Sequence, residues 1–99
     1  MAKEPEVKRW QKFQREFDSM KPVVYSRSGG KCEVRIADRC EVTGVHVHHR
    51  KYRSRGGTNS LSNLIHACLP CHDWIHSNPE LSNVTGLSLH EWEDEDESL

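Results

Sequence analysis

A chain of 99 residues that spreads Cys32, Cys40, Cys68 and Cys71 around a histidine-rich middle has few ways to fold. Cys68-Leu-Pro-Cys71 is half of a knuckle, in which two thiolates on one turn reach a single tetrahedral ion. The other half falls to Cys32 and Cys40, with seven residues between them in place of the usual two to four. Spacing leaves a shared zinc ion, a disulfide and unpaired buried thiols open. Zinc is favoured because the N-terminus shows no export signal, which points to a reducing, cytoplasmic compartment. A closed four-thiolate site would be structural, and its binding free energy, on the order of 10 kcal/mol in peptides, would be folding free energy. The chain has use for it: Leu, Ile, Val and Phe number 20 of 99 residues, the edge of what a packed core requires.

The histidines form the second pattern. His48-His49, Asn63, His72 and His76 read H-H-x13-N-x8-H-x3-H. His72 and His76, at i and i+4, project from one face of a helix. His48 adds a third nitrogen from a strand end, and three ligands leave positions open for water and phosphate. On a strand His49 points to the side opposite His48. It can stay free of the metal and take a proton from water, a task suited to an imidazole. His46 shares a face with His48 and is a substitute ligand; His66 and His90 read as ordinary. The bland alternative is coincidence, since seven histidines make single matches cheap.

Between these sites the chain reads as short elements. Residues 1–5 read as frayed, and an amphipathic helix is expected from Glu6 to Met20, with Trp10, Phe13, Phe17 and Met20 on one side. Lys21-Pro22 should end it. Val23-Val24-Tyr25 is a short apolar run, and the Val34/Ile36 alternation suggests an extended segment or a wide knuckle. Val42–His48 reads as a strand with Val45 and Val47 on one face. Arg50–Asn63 is a polar loop with a Gly56-Gly57 turn, and a second strand falls around Leu64–His66. A helix should start at His72 and be cut short by Asn78-Pro79. Residues 80–90 read as one more strand or turn, and Glu91–Glu97 as a disordered acidic tail. Trp74 reads as core.

Charge is segregated. Residues 1–57 hold all 14 Lys and Arg against 7 acids, and residues 58–99 hold 8 acids alone, giving +7 and −8. A basic front half suits a phosphate-backbone binder, and equally a solvated basic helix beside an acidic tail. No apolar run is long enough for a membrane span.

Together, His48-His49, Asn63, His72 and His76 resemble the HNH (ββα-metal) endonuclease motif in its His-His form. The cysteine pairs are similar to those of zinc-bearing HNH proteins. Cys32–His76, with His-His-Arg-Lys-x-Arg-Ser-x-Gly-Gly in its middle, resembles small HNH endonucleases of tailed bacteriophages. Many family members carry Asp where His48 stands, so the site here is all nitrogen; the Cys32–Cys40 spacing is the other departure.

The resemblance implies an α+β fold: a ββα-metal core with a four-cysteine zinc site and an N-terminal amphipathic helix. Its divisions would be residues 1–31 (basic helix and linker), 32–79 (nuclease core) and 80–99 (extension with acidic tail). It implies His49 as general base, and Asn63 as a structural residue bonding backbone across the loop and so fixing the His49 ring. His48, His72 and His76 would hold one divalent cation (Mg2+, Mn2+, Ni2+ or Zn2+), and Cys32, Cys40, Cys68 and Cys71 a structural Zn2+. Arg53 and Arg55 are candidate phosphate contacts. The partner would be DNA and, by likeness to phage relatives, terminase subunits during genome packaging. A zinc-stabilised DNA-binding module without catalysis is the competing expectation.

Overall fold

A computed structural model of the chain describes residues 8–95. Its elements in order are α1 (Arg9–Ser28), β1 (His46–His49), β2 (Leu64–Ala67), α2 (Leu69–Ser77) and α3 (Pro79–Val84), with single 3-10 turns at Arg53–Arg55 and Leu61–Asn63. β1 and β2 form an antiparallel pair in which His48 faces Ile65 and His49 faces Leu64. With α2 packed behind them they make a ββα unit, so the chain is a small α+β protein.

Helix α1 runs on past the point where Pro22 was expected to stop it, through Val23-Val24-Tyr25 to Ser28. A proline inside a helix costs about 3 kcal/mol. What offsets that cost lies downstream. Val24 is fully buried, and Gly29 ends the helix in the left-handed conformation that a residue with a Cβ resists. Arg27, in the last turn, pins the helix to the core: Nε and Nη2 donate to the Glu33 carboxylate at 2.8 and 2.7 Å, Nη1 to the Leu61 carbonyl and Nη2 to the Leu64 carbonyl. Burial pushes the Glu33 carboxyl up, but the Arg27 guanidinium and the His66 backbone N–H outweigh it and leave it below its usual range. The expected fraying of residues 1–5 lies outside the described residues.

Residues 32–42 form a wide knuckle, not an extended segment, with positive φ at Arg35, Asp38 and Val42. The first strand, His46–His49, is shorter than the expected Val42–His48 and ends one residue later. Val45 is 59% exposed and His46 is exposed too, while His48 is 3% exposed, so on the histidine face it is His48 that is covered. The reason is tertiary: α2 brings its own histidines to that face. Val34 and Ile36 pack against both halves of the core, the thiol cluster of Cys32, Cys68 and Cys71 and the apolar cluster of Ile65, Ile75 and Leu87, where Trp74 also packs.

After α2, residues 79–84 are a third helix in place of the expected strand or turn. The start of the acidic run is anchored. The Glu93 carboxylate accepts from Asn83 Nδ2 and the His90 N–H, and Glu95 accepts from the Thr58 N–H at 2.8 Å and from the Thr58 and Ser60 hydroxyls. Residues 96–99 lie outside the described residues. No helix among the described residues is long and apolar enough to cross a membrane.

Candidate metal centres and active site

The four cysteines converge. Their sulfurs lie within 4.8 Å of one another, and Cys68 Sγ and Cys40 Sγ are 4.0 Å apart. A tetrahedral zinc with Zn–S bonds of about 2.3 Å has an S···S edge of about 3.8 Å, so the donor set fits zinc. Three backbone N–H groups point at the sulfurs: Ile36 to Cys71, Glu41 to Cys68 and Val42 to Cys40, each at 3.4 Å. The left-handed residues Arg35 and Val42, three and two positions after a cysteine, turn these amides inward. All four thiols stand free, with no disulfide joining any two of them in the structure. Burial raises Cys32, yet N–H donors from Arg35, Cys68 and Val34 outweigh it and bring the thiol down to about 7. Burial pushes Cys71 up. Amides that favour thiolate, in a pocket that resists several at once, make a site in which a cation is what balances the charge.

The knuckle also starts the second site. Cys68 is the N-cap residue of α2 and Pro70 stands in its first turn, so the helix leaves the thiol cluster carrying His72 and His76 on one face. Their Nε2 atoms are 3.2 Å apart. Ring nitrogens at 2.0–2.1 Å from a tetrahedral ion would be about 3.3 Å apart, so this edge matches a shared cation. His48 supplies the third donor, all three ligand atoms lying within 4.8 Å of one another. Burial grades across the set: His48 is buried, His72 half-buried and His76 exposed.

His48 is oriented by a distant carbonyl. Its Nε2 lies 2.8 Å from the Leu87 carbonyl oxygen, which can only accept, so Nε2 carries the proton and Nδ1 the lone pair. Such a carbonyl behind a histidine is how metal ligands are commonly held. Burial drives the His48 pKa down to about 4, against the Leu87 bond, with the other histidines adding to the drop. Burial, then His76 and His46, lower His72 as well. Both rings are therefore neutral near pH 7, the state a cation needs. Tyr52 walls the group, edge-on to His48 and stacked on His76 at 6.0 Å. His46 is exposed, 5.0 Å from the His72 ring centroid and outside the convergent set.

His49, next along β1, turns the other way. Its ring stacks on Phe13 at 5.5 Å and meets Phe17 at 4.5 Å, both on α1. Asn63 is fully buried and clamps the loop between the strands: Oδ1 accepts the Lys51 N–H, and Nδ2 donates to the Lys51 and Thr58 carbonyls. Its bonds are to backbone across the loop, whereas the His49 ring itself bonds Asn59, with Nε2 and Oδ1 2.8 Å apart. Gly57 lets the loop close, since a Cβ there would run into the Lys51 carbonyl. Arg53 is exposed with its guanidinium over the Phe13 ring, while Arg55 lies over Tyr52 and donates to the Leu89 carbonyl. His66 is buried and bonded to the Ser28 hydroxyl, a structural setting.

Sequence reasoning missed Asn59, Tyr52, the Leu87 carbonyl and Arg50. Arg50 is 3% exposed and donates to the Gly86, Ser62 and Glu95 carbonyls, tying the strand end to the C-terminal segment. No local pattern marks any of them. Only the aromatic spacing of α1 pointed to where that helix would face.

Neither curated proteins nor solved structures give a significant match to the chain. A family model does: HNH endonuclease matches residues 30–78. That span includes both donor sets, His49 and Asn63, and the family implies metal-dependent cleavage of nucleic acid. Through residues 30–78, the chain belongs to the HNH endonuclease family.

Proposed function

We propose that the protein is a DNA endonuclease with His49 as general base and one divalent cation at His48, His72 and His76. One observation carries the reading: three ring nitrogens converge while the fourth imidazole, on the next residue, stays outside their set. Bound there, a divalent cation supplies positive charge for the pentacoordinate phosphorus and the departing oxygen. His49 accepts a proton from water, the water oxygen bonds to phosphorus in line, and the P–O3′ bond breaks. The 3′ oxygen leaves as an alkoxide that takes a proton from solvent water to become a hydroxyl, and the phosphate stays on the 5′ side. Cys32, Cys40, Cys68 and Cys71 hold a structural zinc that starts α2 and so aims His72 and His76. Asn63 keeps the loop closed under His49.

Arg53 and Arg55 are proposed phosphate contacts. Of the two, exposed Arg53 has its guanidinium less committed to the fold, since Arg55 is hydrogen-bonded to backbone. The proposed functional divisions are residues 1–31, 32–79 and 80–99, with 32–79 as the nuclease core. Likeness of Cys32–His76 to tailed-phage enzymes motivates a finer reading, action beside terminase in the host cytoplasm. Co-purification with terminase subunits tests it.

The deciding experiment is nicking of supercoiled plasmid with Mg2+, Mn2+ or Ni2+, with and without EDTA. Metal-dependent nicking is expected, lost in His49→Ala with folding and zinc content retained. Metal-replete protein that binds DNA but leaves plasmid intact in all three ions would establish a zinc-stabilised binding module instead.

A further inference from the structure

We infer that Asn59 is a positioning residue for His49, and that helix α1, outside the family-matched segment, is what aims it. This rests on His49 as the base. The chain of bonds has one consistent direction. Asn59 is buried, and its Nδ2 lies 2.9 Å from the backbone carbonyl of Phe13 on α1. That carbonyl has no hydrogen to give, so the Asn59 amide nitrogen must face it. The reversed amide would set two oxygens against each other. The Asn59 oxygen is thereby turned toward His49, 2.8 Å from Nε2. An amide oxygen only accepts, so His49 Nε2 carries the proton and Nδ1 keeps the lone pair. Nδ1 is the atom that takes the proton from water.

Packing reinforces the bond. Phe13 and Phe17 hold the His49 ring from one side, and the Arg53 guanidinium covers Phe13, 4.6 Å from its ring centroid. The ring can then neither tilt toward solvent nor exchange its nitrogens without breaking the bond to Asn59. Asn63 closes the same loop through the Thr58 carbonyl, one residue before Asn59. The nuclease segment thus supplies the base, and the helix before it supplies the base's orientation.

The test uses the full chain with its metals. Two-bond nitrogen–proton NMR correlations, assigned with His49→Gln, report which nitrogen of His49 is protonated in the neutral ring. Wild type is expected to show Nε2–H, and Asn59→Ala a mixture of tautomers. The same variant should lose about 10- to 100-fold in kcat, with KM for DNA changed by less than about twofold. Asn59→Asp keeps an acceptor for Nε2–H but loses the amide that ties the loop to α1. It should retain the Nε2–H tautomer but, with a carboxylate oxygen facing the Phe13 carbonyl and the tie to α1 lost, recover only part of kcat. Nδ1–H in the wild type, or an unchanged tautomer and kcat in Asn59→Ala, overturns the inference. So does Asn59→Asp falling as far as Asn59→Ala, which would mark Asn59 as a structural tie alone. Plasmid nicking by His49→Ala would instead overturn the base assignment, while the tautomer measurement still reads the Asn59 bond directly.

Discussion

Two clusters of soft ligands share helix α2, and they are built in opposite ways. The thiol cluster is closed: Cys32, Cys68 and Cys71 are buried, backbone amides point at the sulfurs, and all four sulfurs lie within 4.8 Å of one another. The imidazole cluster is open: three donors grade from buried His48 to exposed His76, with Tyr52 as an aromatic wall. A closed set holds an ion for its folding energy, whereas an open set leaves coordination for water and substrate. Cys68 as the N-cap residue of α2 links the two, because the turn that gathers sulfur also fixes where the histidines begin.

The sharpest break of this comparison is Cys71→Ser. Losing one ligand of a site contributing on the order of 10 kcal/mol should unfold the chain. Circular dichroism and zinc content should collapse together; a folded, zinc-free variant would refute a structural role for the cluster. His76→Ala is the counterpart at the open site. Nicking should drop by at least about 100-fold, the scale of losing charge stabilisation, while the bound zinc stays. Loss of zinc in this variant would mean that the two sites are one.

Smaller effects sharpen the boundary. Asn63→Ala removes the partner of the Lys51 N–H and of the Lys51 and Thr58 carbonyls and leaves a cavity at a fully buried position, and should cost about 2–4 kcal/mol by denaturant unfolding. An unchanged midpoint would show that the loop closes without it. Glu95→Gln reads the tie between the C-terminal segment and the loop carrying Asn59. Burial raises the Glu95 carboxyl, but the Thr58 hydroxyl and N–H and the Ser60 hydroxyl outweigh it, so its folded pKa is below the unfolded value. Its stabilisation is therefore present above the unfolded pKa of about 4.3, and is lost as pH falls through the lower folded pKa. The partly exposed site limits the effect to below about 1 kcal/mol. The gap in melting temperature between wild type and Glu95→Gln should close on acidification; a gap that widens would reverse the sign.

Much of the donor chemistry was legible because it is local. A CxxC turn and an i,i+4 histidine pair have their geometry set within a turn of backbone, so Cys68, Cys71, His72 and His76 could be placed before any fold was known. The wide Cys32–Cys40 spacing could not be read as firmly. Its closure depends on left-handed backbone at Arg35, Asp38 and Val42, which those residue types do not announce. Pro22 misled for a similar reason: its local penalty is real, and distant contacts of Val24 and Arg27 override it.

What the chain's order of residues settled alone was the inventory: two donor sets, their element types and a basic front half before an acidic end. Tertiary structure decided which group orients which. Leu87 reaches His48 across 39 positions, Asn59 reaches Phe13 across 46, and α1 settles on His49. Such pairings are selected by packing the whole chain around a small core, and no short-range preference of backbone or side chain encodes them.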